Sequence, residues 1–175
     1  SDGLEQEIPV RAMKFSDEEN EFVKSLFLLT AKPVIYAANI GESDLGKPEE
    51  ELPYVRLVRE FAEREGAQVI TLCAKIEEEL TKLPADERAV FLEELGIRES
   101  GLDQLVRACY TLLGLVSFLT AGEKETRAWT VERGTKAPGA AGKIHSDFEK
   151  GFIRAEIVDY DTLLECGSFN AAKEK

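Results

Sequence analysis

Apolar positions along the chain change their period twice, and each change marks a change of element. Ser16 followed by Asp17, Glu18 and Glu19 has the form of a capping box, with acidic side chains on the positive end of a helix. Phe22, Val23, Leu26 and Phe27 then recur at helical spacing as one apolar stripe, and Lys32-Pro33 is predicted to end that helix. Val34 to Ala38 is a short continuous apolar run, the pattern of a strand buried on both faces of a parallel sheet. A polar loop from Gly41 to Glu51 leads to Pro53, which opens a second helix with Val55, Val58, Phe61 and Ala62 toward the core and Gly66 as its C-terminal cap. Gln68 to Cys73 reads as a second buried strand. The order helix, strand, helix, strand with short links predicts an α/β arrangement with a parallel sheet and flanking helices. Two more helices follow, Pro84 to Leu95 closed by Gly96, and Gly101 to Leu113 started by Ser100 with Asp103 three residues on.

After Gly114 the texture becomes β-rich. VSFLTA, TRAWTVE and FIRAEIVDY read as strands, the last two with partial period-two alternation, and the Gly-rich stretch GTKAPGAAGK reads as a turn between them. A boundary is therefore predicted near residue 115.

Charge sharpens this division. Residues 1–115 hold 13 Lys and Arg against 24 Asp and Glu, whereas residues 116–175 hold 9 against 10. The whole chain of 175 residues carries a net charge of -12, which disfavours non-specific coating of nucleic acid, because neutralising phosphates needs Lys and Arg. No DNA contact is expected, and any RNA contact is expected from a local patch in the near-neutral second part. No run of 18 apolar residues occurs, so no membrane span is expected. Cys73, Cys109 and Cys166 have neither disulfide-framework nor metal-site spacing, and point to a reducing, cytoplasmic setting. The acidic start without a Met or an apolar leader suggests a chain that begins within a longer protein or has been trimmed.

Ligands of parallel α/β sheets bind beyond the carboxyl ends of the strands. Asn39 and Cys73-Ala74-Lys75 occupy those two positions. An Asn amide both donates and accepts, so it can pair with the N6/N7 edge of adenine or reach N7 of guanine; it is equally suited to closing a turn. His145-Ser146-Asp147 contains the chain's single His and has no partner cluster, which favours a structural or surface-recognition role over metal or acid–base chemistry. Trp129, on an alternating strand, is expected to pack on its sheet and not to act as a stacking platform. Glu77-Glu78-Glu79 reads as a solvated helix face. The phosphate-binding pattern GxxxxGK[ST] is absent; the nearest string ends at Gly142-Lys143, with Ala137 and Ile144 where Gly and Ser or Thr are required.

The stretches KPVIYAANIGESDL, CAKIEEEL, LLGLVSFLTAGEKETRAWTV and APGAAGKIHSDFEKGFIRAEIVDYD resemble the YchF/Obg-like ATPase family, over nearly the whole chain. The resemblance implies that residues 1–115 are the C-terminal part of an OBG-type, P-loop nucleotide-binding domain, with 1–14 the return from a helical arm. It implies that 116–175 are a TGS domain, a small β-grasp module, truncated here and so expected to leave an open edge or disorder near its end. Asn39-Ile40-Gly41-Glu42 takes the place of the base-reading motif, NxxE where GTPases have NKxD, and Cys73-Ala74-Lys75 the loop closing the other side of the base, with Cys in place of the usual Ser. Guanine offers N1–H and N2–H to a carboxylate, adenine only an N1 acceptor. A longer, displaced Glu42 with an apolar Ile40 therefore favours ATP over GTP. The implied function is a ribosome-associated ATPase using ATP and Mg2+, with the Mg2+ ligands and hydrolytic residues outside this chain. Arg127, Arg133, Lys143, Lys150 and Arg154 would contact the ribosome, expected through its large subunit. The alternatives are a non-catalytic ribosome- or partner-binding module and a GTP-specific GTPase.

Overall fold

The Ser16 capping box forms as its sequence dictates. In the computed structural model, which describes residues 2–122 and 125–174, the Ser16 hydroxyl accepts from the Glu19 N–H at 3.3 Å and the Glu19 carboxylate accepts from the Ser16 N–H at 2.9 Å. A four-residue helix α1 (Asp2–Glu5) precedes this cap, and α2 (Asp17–Ser25) follows it. Helix α2 stops well before Lys32-Pro33, because the chain turns at Phe27 with a left-handed φ of 50°. Its apolar stripe is not a core face: Phe22 is 65% exposed and Phe27 86%. An apolar stripe demands a partner, and no described element of this part of the chain supplies one.

The chain divides into two units, Ser1–Gly114 and Leu115–Lys175. In the first, β1 (Ile35–Asn39), α3 (Pro53–Glu65) and β2 (Gln68–Leu72) form a parallel βαβ unit, with Ile35 opposite Gln68 and Asn39 opposite Leu72. Pro53 occupies the first turn of α3, and the helix closes on Gly66 at φ 66°, where the Gly66 and Ala67 N–H groups donate to Glu63 and Ala62. Among the described residues the sheet has two strands and β1 pairs along one edge, and none of its five residues is fully buried. That corrects the expectation of a strand covered on both faces. Helices α4 (Ala74–Lys82), α5 (Ala85–Glu94) and α6 (Gly101–Leu112) follow. Cys73, Ile76 and Leu80 form a buried cluster, against which Leu45, Leu83, Phe91, Leu92 and Leu95 pack. Gly101 is glycine for want of space: a Cβ there would lie 2.5 Å from Leu72 Cβ.

In the second unit β3 (Leu115–Ala121) and β4 (Thr126–Glu132) pair antiparallel, with Val116 opposite Val131 and Phe118 opposite Trp129. The alternation of TRAWTVE is real, since Trp129 and Val131 lie on the covered face. Two expectations fail beyond the hairpin. GTKAPGAAGK is not a turn: Pro138 and the alanines start and carry helix α7 (Ala137–Ile144), followed by α8 (Ser146–Lys150). FIRAEIVDY is not a strand: residues 152–159 lack regular structure, and Ile153 and Ile157 are 92% and 86% exposed. Alternation supplies a face but not a neighbour, and no strand pairs with this segment among the described residues. Helices α9 (Tyr160–Cys166) and α10 (Phe169–Glu174) end the described chain where an open sheet edge was expected. Among the described residues, the β3–β4 hairpin is the part of a β-grasp sheet that is formed.

Candidate nucleotide-base site

The carboxyl ends of β1 and β2 sit side by side, and three bonds tie the loops that leave them. The Ile40 N–H donates to the Leu72 carbonyl at 2.9 Å, extending the ladder one residue past β1. Asn39 Oδ1 accepts from the Ala74 N–H at 3.0 Å, at the start of α4. Lys75 Nζ meets Glu42 Oε2 at 2.7 Å. Because a backbone amide can only donate, the Ala74 bond fixes which end of the Asn39 amide is oxygen and leaves Nδ2 free to donate outward. Glu42 opens a short 3-10 turn (Glu42–Asp44) that ends at Leu45, and Leu45 packs against the Cys73–Ile76–Leu80 cluster. The loop that leaves β1 is therefore anchored to the hydrophobic core at one end and to β2 at the other. The Glu42 carboxylate beside it raises the pKa of Lys75 and keeps it charged.

Cys73 differs from its neighbours in the loop. Its side chain is buried at 4% exposure in the cluster, so it supports the loop from beneath and offers no thiol to a base. On the α3 side of β1 lies an open cavity of about 490 Å³, lined by Asn39, Ile40, Gly41, Tyr54, Val55 and Val58 among others. It shares Asn39 and Ile40 with the bonded loops but not Ala74 or Lys75.

Glu77 is not the solvated residue that the acidic run predicted. Its carboxylate accepts from the Gly101 N–H at 2.6 Å and the Leu102 N–H at 3.2 Å, satisfying the first amides of α6. No spacing in the sequence connects positions 77 and 101. A second link missed from the sequence joins the early segment to the sheet. Arg11 and the Tyr36 hydroxyl both donate to Glu65 Oε2, at 3.0 and 2.7 Å, beside the buried Val10. Tyr36, and after it Arg11, holds the Glu65 carboxyl below the usual carboxylate range.

The five basic residues expected to touch a partner do not form one patch of bonded groups. Arg127 lies 4.2 Å over the Trp129 ring, whose Nε1 donates to Thr120. Trp129 is thus spent on its own sheet, as expected. Arg133, Lys143, Lys150 and Arg154 are exposed, on separate elements. Gly142-Lys143 lies near the C-terminal end of α7, the wrong end of a helix for holding phosphate. His145 caps α8, its Nδ1 accepting from the Asp147 N–H at 3.2 Å. No three His, Cys, Asp or Glu side chains are placed to hold a metal among the described residues. None of the described helices is long and apolar enough to cross a membrane.

Residues 115–175 match the family model YchF-GTPase_C, described as "Protein of unknown function (DUF933)". Over 173 residues the chain is 52% identical to the ribosome-binding ATPase YchF of Bacillus subtilis (strain 168), covering 99% of this chain and 47% of that protein. It is 40% identical to Obg-like ATPase 1 of Rattus norvegicus, covering 97% of this chain and 43% of that one. The solved structure of the Schizosaccharomyces pombe YchF GTPase superposes with a TM-score of 0.81 at 36% identity, over 97% of this chain and 45% of that one. The chain spans about half the length of the curated relatives it matches.

Proposed function

The chain belongs to the YchF/Obg-like ATPase family, and from that premise we propose that it supplies the base-reading side of a cytoplasmic, ribosome-binding ATPase that prefers ATP to GTP. The observation that carries the reading is the bond from the Ala74 N–H to Asn39 Oδ1, which orients Asn39 Nδ2 as a free donor at the sheet's carboxyl edge. Nδ2 donates to N7 of the purine. The second lone pair of Oδ1 accepts the N6 amine of adenine, and Ile40 covers the ring. A guanine O6 at that place would meet the same carbonyl oxygen and would find the Ala74 amide already engaged.

Within these 175 residues no GxxxxGK[ST] occurs, so the phosphates and their Mg2+ are held by other parts of the intact protein, and this chain alone does not hydrolyse ATP. Residues 116–175, as a TGS domain, serve contact with the ribosome's large subunit, with Arg127, Arg133, Lys143, Lys150 and Arg154 meeting phosphate. The names of the relatives divide between ATPase and GTPase, which makes base preference the property to measure. In the intact protein, Asn39→Ala should weaken ATP about tenfold by calorimetry, the scale of one well-placed hydrogen bond to a buried group. ATP affinity unchanged by that substitution would remove Asn39 from the site.

A further inference from the structure

N7 is common to both purines, so Asn39 by itself reads a purine and not an adenine. Guanine is recognised when one carboxylate accepts N1–H and N2–H together, and that requires both carboxylate oxygens. Glu42 is the acid beside Asn39, and Lys75 takes one of those oxygens at 2.7 Å, across 33 residues of sequence. Glu42 is held in place by its own turn, where the Leu45 N–H donates to its carbonyl at 3.2 Å. Glu79, one helical turn beyond Lys75, adds its field to the same ammonium. Asp44, the other acid of the loop, is engaged by Lys47 at 2.7 Å.

We propose that the Lys75 side chain is a specificity-determining residue of the base site: by holding Glu42 Oε2 it fixes the direction of the carboxylate and offsets its charge, so that Glu42 does not present both oxygens to guanine. This rests on the adenine-reading assignment of Asn39 and Ile40. Lys75 is a positioning residue, since it acts through Glu42 and touches no reacting atom. Both partners are more than half exposed on their side chains, so removing the ammonium does not threaten the fold.

The test uses the full-length protein, titrated with ATP and with GTP. Lys75→Met is expected to raise GTP affinity relative to ATP roughly fivefold, the scale of one exposed ion pair. Lys75→Arg should keep the wild-type ratio, and Glu42→Ala added to Lys75→Met should cancel the gain. A ratio within about twofold of wild type in Lys75→Met would overturn the proposal, even if both nucleotides weaken together. A wild-type protein without ATP preference would sink the base reading itself, and this proposal with it. ATP preference combined with an unmoved ratio would sink only the role of Lys75.

Discussion

The two units bury their apolar residues very differently. Of the core residues among the described part of the chain, nine lie in 1–114 and only Val131 lies in 115–175. In the first unit the buried cluster of Cys73, Ile76 and Leu80 adjoins the loops that leave β1 and β2, and Leu45 packs against it. In the second, a hairpin carries local bonds, such as that from Trp129 to Thr120, while Ile153 and Ile157 stay in solvent. A site that must hold a small ligand to within tenths of an ångström needs such a floor. A surface that meets a large partner does not, because the partner can supply the missing cover.

The largest test of this contrast is to remove the floor. Ile76→Ala should cost about 3 kcal/mol in urea unfolding followed by circular dichroism. Val131→Ala should cost about 1.5 kcal/mol, followed by the fluorescence of Trp129, the chain's single tryptophan. Equal losses would erase the distinction between a cored and an uncored unit. Next in size is Glu77→Ala, expected to cost about 1–2 kcal/mol and to speed amide exchange at Gly101 and Leu102, which lose their acceptor. Unchanged exchange at those two amides would show that α6 does not depend on Glu77.

Smallest, and lost in acid, is the effect of Glu65. Its carboxyl titrates below the ordinary range when folded, so its contribution is complete above the unfolded value of about 4.3 and is lost as pH falls through the lower folded value. Glu65→Gln should therefore flatten the acid limb of the stability curve below about pH 4. An acid limb as steep as wild type would mean that Arg11 and Tyr36 do not stabilise the charged carboxylate.

The sequence made the α/β order and the strand-tip residues legible, because capping boxes, Pro53, Gly66 and short apolar runs act locally. Asn39 was recognisable by its place at the end of a strand, and the family resemblance supplied the role proposed for it. The failures share one cause. FIRAEIVDY has a strand's alternation but finds no pairing edge, the stripe of Phe22 and Phe27 finds no facing element, and Glu77 finds an acceptor's role only because α6 returns to β2. Each depends on a distant neighbour. GTKAPGAAGK failed differently: its glycines suggested a turn, while Pro138 and three alanines favour a helix. The Lys75–Glu42 pair was visible as two opposite charges, yet nothing in their spacing announced that the loops would meet.

The central claim is that Asn39, oriented by Ala74, donates to N7 of the base. Titrating the intact protein with ATP and with 7-deaza-ATP, which has a carbon in place of N7, tests it most directly. The expected result is about five- to tenfold weaker binding of the deaza analogue, with the difference vanishing in Asn39→Ala. Equal affinity of the wild-type protein for the two nucleotides would contradict the account.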